Sequence, residues 1–114
     1  MNTRKQGKKA EEIAEEYLHN QGLISIARNF TISGGELDLI MKDGDFIVFI
    51  EVKSLRKNSE FYIFETLTNR KKRFLRNAIN TWLLQNNFID QVWRVDFIGI
   101  RGDKIEYFKF IDLN

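Results

Sequence analysis

Apolar residues along this chain follow two rhythms, one helical and one alternating. Between about Lys5 and Gln21, the residues Ala10, Ile13, Ala14, Tyr17 and Leu18 recur at the spacing of one helical stripe, and Asn20-Gln21-Gly22 supplies the stop. Leu23 to Phe30 reads as a short strand, after which Ser33-Gly34-Gly35 lets the backbone turn. Glu36 to Lys42 and Phe46 to Lys53 then form the arms of a hairpin around Asp43-Gly44, a dipeptide suited to the positive φ angles of a short turn. The second arm is apolar on both faces (Phe46, Ile47, Val48, Phe49, Ile50), which predicts a strand in the middle of a covered sheet. Residues 54–68 show no period, and Phe61, Tyr62, Ile63 and Phe64 within them read as a flap or a partner surface. Asn69 to Asn87 is a second helix, capped by Thr68 or Asn69, with Phe74, Leu75, Ala78, Ile79 and Trp82 on its stripe. Val92 to Ile100 is a strand, and Arg101-Gly102-Asp103 turns the chain into a last one, Lys104 to Leu113, at a sheet edge. A helix between two strands predicts a right-handed crossover, with Val92 to Ile100 parallel to the arm ending in Lys53.

The anomalies in this pattern are charged. Glu51-Val52-Lys53 continues an apolar strand, where ionised groups are costly unless paired or holding a metal. Alternation puts Glu51 and Lys53 on one face. With a hairpin loop of two or four residues, Asp38 falls opposite Phe49 or Glu51 and shares that face; a three-residue loop without a bulge would separate them. Two carboxylates and an ammonium at one strand end form a candidate divalent-cation site with a charge stabiliser beside it. On the first helix Glu12 and Glu16 lie away from the stripe. Glu11, about 20° from Leu18 on the wheel, borders it and either leans toward the sheet or pairs with Lys8 at the surface. Lys71 lies on the stripe of the second helix at its positive end, aimed at a phosphate or snorkelling to solvent. Arg28 contacts a phosphate, braces an acid or sits in solvent. Asp96, an acid within an apolar strand, reads as a bracing carboxylate toward Lys71 or Arg28 rather than as a metal ligand. His19 has no assigned role.

A chain of 114 residues, 43% hydrophobic and 30% charged, is read as one globular domain spanning 1–114. No run approaches the ~20 apolar residues of a membrane span, and Met1-Asn2-Thr3-Arg4-Lys5 leads into no apolar signal core, so the expected location is cytoplasmic. Cysteine is absent, which removes disulfides, thiolate nucleophiles and Cys-ligated zinc; with a single histidine, any metal is held mainly by oxygen, favouring Mg²⁺ or Mn²⁺. Net charge is only +2, but its distribution is uneven. Basic residues gather at Arg4-Lys5 with Lys8-Lys9, at Lys53 with Arg56-Lys57, and at Arg70-Lys71-Lys72-Arg73 with Arg76, while acids crowd the first helix and the hairpin. Such segregation suits a phosphate-lined groove beside an acidic metal site, although each cluster alone reads as a solvated face. No Gly-rich phosphate loop, G-x-S-x-G or zinc spacing occurs.

Asp38, followed after a turn by Glu51-Val52-Lys53, resembles the PD-(D/E)XK nuclease signature. The strings Gly35-Glu36-Leu37-Asp38-Leu39-Ile40 and Phe49-Ile50-Glu51-Val52-Lys53, with Ala27-Arg28-Asn29-Phe30 before them and Arg94-Val95-Asp96 after, resemble the YraN-like family. These are small bacterial proteins assigned to endonucleases by similarity and related to archaeal Holliday junction resolvases. The likeness runs from Gly7 to Ile100 and is weakest over residues 54–68, where Leu55 replaces a usual basic residue, with Arg56 beside it. It implies an α/β restriction-endonuclease-like core, α-β-β-β-α-β, with a central mixed sheet flanked by helices and an added C-terminal edge strand. It also implies hydrolysis of DNA phosphodiester bonds with Mg²⁺ or Mn²⁺, in branched or junction DNA, by a homodimer matching the junction's two-fold symmetry. In that scheme Asp38, Glu51 and the Val52 carbonyl hold the metal. Glu11, four residues after Gly7 as in the resolvases, completes the shell directly or through water. Lys53 positions the attacking hydroxide or offsets charge on the phosphate, and Arg28, Arg56, Lys71, Lys72 and Arg73 contact nucleic acid. The rivals are a non-catalytic nucleic-acid-binding module on a nuclease fold, and a buried salt-bridge network of Asp38, Glu51 and Lys53 with no further role.

Overall fold

A computed structural model describes the backbone of residues 3–60 and 62–114 and the side chains from Gly7 onward, so Phe61 and the side chains of Arg4 and Lys5 lie outside the described residues. The elements are α1 (Thr3–Asn20), β1 (Ile24–Ile32), β2 (Gly35–Asp43), β3 (Phe46–Leu55), a 3-10 turn (Ile63–Thr66), α2 (Asn69–Gln85), β4 (Trp93–Arg101) and β5 (Lys104–Phe108). The strands form one sheet in chain order. β1, β2 and β3 are an antiparallel meander, β3 and β4 are parallel across α2, and β5 is an antiparallel edge. The parallel pairing expected of the crossover is present.

α1 lies on one face of the sheet and α2 on the other. Ala10, Ala14 and Leu18, four residues apart, bring α1 close to Leu39, Met41, Val48, Ile50, Ile98 and Ile100. Ile13, expected on this stripe, is instead 37% exposed, because those three positions with Tyr17 already fill the contact. Leu75, Ala78, Ile79, Trp82 and Leu83 of α2 meet Leu37, Ile47, Phe49, Val95 and Phe97. β3 therefore feeds Ile47 and Phe49 to one core and Val48 and Ile50 to the other, as a strand apolar on both faces must. Thr68 is the N-cap of α2, its hydroxyl accepting from the Lys71 N–H at 3.1 Å.

The hairpin loop is Gly44-Asp45 rather than Asp43-Gly44. Asp43 pairs with Phe46, and the positive φ (58°) falls on Gly44 in the first loop position, where the Gly-first hairpin turn needs it. The described part of residues 54–68 does not form a flap: β3 continues to Leu55, Ile63 is buried in the α2-side core, and Phe64 stacks on Phe97 with centroids 5.8 Å apart. Gly99 makes room for this cover, since a Cβ there would come within 2.7 Å of Ile63 Cδ1. β5 ends at Phe108, short of Leu113. The tail turns at Phe110 (φ 57°), Ile111 N–H donates to the Val95 carbonyl at 2.8 Å, and Leu113 enters the α2-side core.

Asp96, fully buried, is a bracing carboxylate as expected, but not toward Lys71 or Arg28. It accepts from Arg94 Nε at 3.0 Å, the Tyr107 hydroxyl at 2.6 Å and the Phe110 N–H at 3.1 Å, while Arg94 Nη2 also donates to Asp43 at 2.8 Å. This network ties β4 and β5 to the tail and the hairpin turn. Burial and the hydrogen bond to Asp96 push the Tyr107 hydroxyl pKa up.

Candidate metal centre

The site follows from where two strands part. β2 and β3 pair from Asp43↔Phe46 to Leu39↔Ile50 and no further. β2 continues with β1 as far as Gly35, and β3 continues with β4 as far as Leu55. Beyond Leu39 and Ile50 the sheet therefore forks, and Asp38 and Glu51 are the first residues past the split. At the fork the Val52 N–H donates to Asp38 Oδ2 at 2.9 Å. That bond fixes the aspartate between the diverging strands.

Three elements aim carboxylates at this point. Glu11 on α1, Glu36 on β2 and Asp38 each place an oxygen within 4.8 Å of the other two. Glu51 adjoins Asp38 from the β3 side, close enough for its charge to act on the aspartate. The Asp38 carboxyl is pushed up to about 7, first by burial and then by the Glu51 charge, against the opposing pull of the Val52 N–H and Lys71. Glu11 is also raised, by burial first and by Asp38 and Glu36, with Asn29 pulling the other way. Carboxylate oxygens gathered this closely, with Asp38 and Glu11 held up by burial and by each other's charge, are a donor set that fits a hard divalent cation.

Of the residues singled out in the sequence, Glu11 meets Asp38, and Glu51 adjoins Asp38 with Lys71 beside it. Lys71 Nζ lies 3.2 Å from Glu51 Oε1. Lys53 shares the Glu51 face by alternation and makes no ion pair among the described residues. Val52 meets Asp38 through its N–H. Arg28 turns to Glu15 (3.2 Å), whose other oxygen accepts from Ser25 at 2.5 Å; Ser25 also bonds His19 Nε2 at 2.7 Å. Lys72 Nζ donates to the Asn114 carbonyl at 3.2 Å, and Arg56 and Arg73 are exposed.

Two residues of the site escaped the sequence reading. Glu36 shares the alternation of Asp38, so the signal was present. Asn29 donates to Glu11 at 2.8 Å and to Glu36 at 3.2 Å from a left-handed backbone (φ 53°), and its only hint was an asparagine inside a strand. Beside the fork, Gly34, Thr66, Thr68, Arg70, Lys71 and Phe74 line an open pocket of ≈ 360 Å³ at the N-terminus of α2.

A mixed sheet between two helical layers, in the order α-β-β-β-α-β with an added edge strand and an acidic fork at its centre, is a restriction-endonuclease-like core. The chain matches the model of "Uncharacterised protein family UPF0102", the YraN family, over residues 10–100, and it belongs to that family. It is similar to a UPF0102 protein of Carboxydothermus hydrogenoformans, 41% identical over 108 residues, covering 95% of this chain and 92% of the relative. A UPF0102 protein of Vibrio cholerae is 38% identical over 113 residues, covering 96% and 93%. No helix among the described residues is long and apolar enough to cross a membrane.

Proposed function

We propose that this protein is a metal-dependent endonuclease acting on DNA. The observation that carries the reading is the meeting of Glu11, Glu36 and Asp38 at the β2–β3 fork, with Glu51 adjoining Asp38 on the side of the basic N-terminus of α2. Asp38 and Glu51 would hold Mg²⁺ or Mn²⁺, with the Val52 carbonyl, Glu11 and Glu36 completing the oxygen shell directly or through water. The bound cation would supply Lewis acidity toward a phosphoryl oxygen and a water acidic enough to attack. The remaining work belongs to the chain. Asn29 holds Glu11 and Glu36 in register, and the Val52 N–H holds Asp38. Lys53 offsets charge developing on the scissile phosphate, the kind of electrostatic support that dominates phosphoryl chemistry. Arg70 and the first turn of α2 receive a neighbouring phosphate in the adjoining pocket, and the exposed Arg56 and Arg73 extend that basic track. Branched DNA and a dimer belong to the same proposal, on the strength of the resemblance to junction resolvases.

Melting with and without Mn²⁺ tests the centre itself. Millimolar Mn²⁺ is expected to raise the Tm of the parent and leave Asp38→Ala unmoved. No shift in the parent would favour a buried salt-bridge network, whereas a shift together with duplex binding but no cleavage would favour the non-catalytic binding module.

A further inference from the structure

The pair between Lys71 and Glu51 is not required by a metal centre, and it stands where a metal would. Its atoms are 3.2 Å apart and its side chains are 28% and 6% exposed. Lys53 carries the same charge two positions along the same strand face, yet forms no ion pair among the described residues. The Lys71 backbone is fixed by the Thr68 cap, but its ammonium sits on a flexible four-carbon stem. That stem also lines the pocket at the start of α2, with Nζ 5.4 Å from the Phe74 ring centre. The ammonium thus has two places within reach, the Glu51 carboxylate and the open pocket.

Resting on the metal reading above, we propose that Lys71 is the resident counter-ion of the centre, whose place on Glu51 the metal takes. A buried carboxylate beside a second one is costly to keep ionised without a cation, and in the metal-free protein Lys71 supplies it. A divalent ion on Glu51 competes for the same oxygen and repels the ammonium. Metal loading therefore frees Lys71 toward the pocket it already lines. Lys71 is in this sense a positioning residue: it holds Glu51 in place until the metal arrives, and it lowers the apparent metal affinity while doing so.

Calorimetric titration of Mn²⁺ into the parent, Lys71→Met and Lys53→Met, without nucleic acid, tests the displacement. Lys71→Met is expected to bind about tenfold tighter than the parent, and Lys53→Met within about twofold of it, because only Lys71 occupies the carboxylate. Equal affinity of Lys71→Met and the parent, or an equal gain in Lys53→Met, overturns the displacement and leaves the metal centre standing. No binding by any of the three overturns both. Melting curves guard against a folding defect: Lys71→Met should melt below the parent in chelator and regain the parent Tm in millimolar Mn²⁺. A deficit that persists with metal means that ammonium and metal coexist on Glu51, and it too overturns the proposal.

Discussion

Asp38 is 8% exposed, has one N–H donor at 2.9 Å, and has other carboxyls on both sides. Its folded pKa of about 7 lies above the ordinary 3.8, so the folded chain binds a proton that the unfolded chain has released between those values. Stability of the metal-free protein therefore falls as pH rises from about 4 to about 7, and the full penalty applies above that. Glu11 is raised in the same direction. In chelator, the denaturation midpoint is expected to be higher at pH 5 than at pH 8. Asp38→Asn, which keeps an acceptor for the Val52 N–H, should flatten that dependence and stabilise the metal-free protein at pH 8 by about 1–3 kcal/mol. Matching pH profiles for parent and variant would contradict this account of the site. Asp38 and Glu51 were legible because a short hairpin loop sets them level on adjoining strands, and Lys71 because a helical wheel shows which face a first-turn residue shares. Asn29 was not, since a single left-handed residue inside a strand leaves no trace in a period of two.

Among the elements, the fork depends on β2 and β3 being held firmly by their outer partners. The sequence located both α-helices and the five strands, the central place of β3 and the parallel β4. It misjudged the hairpin turn by one residue, because Asp43-Gly44 and Gly44-Asp45 both satisfy turn chemistry and only the pairing register chooses between them. Its flap over residues 54–68 is also replaced, since Leu55, Ile63, Phe64 and Leu67 pack on the core without any periodic spacing. Ile63→Ala is accordingly expected to destabilise the protein by about 2–4 kcal/mol in urea titration, where a surface flap would lose almost nothing. Arg94 is the second anchor. Arg94→Met would leave the fully buried Asp96 without its counter-charge, costing about 3–5 kcal/mol. An unchanged midpoint in that variant would show that the tail and hairpin are held by other contacts.

For the whole molecule, a net charge of +2 hides a division between an acidic fork and a basic α2 terminus. That division is what a nucleic-acid enzyme needs, and salt dependence reads it out. Arg73→Ala should weaken duplex binding to a similar degree for every sequence and lower the slope of log K against log salt by about one; binding indifferent to salt would speak against any phosphate track. Metal-dependent hydrolysis by the fork is read out in a cleavage assay. Labelled four-way junction, flap and linear duplex are each incubated with Mn²⁺ and either the parent or Asp38→Ala. The parent is expected to cut at least one of these DNAs, and cutting is expected to stop in chelator and in the variant. Three intact DNAs with the parent, or equal cutting by Asp38→Ala, would contradict that reading.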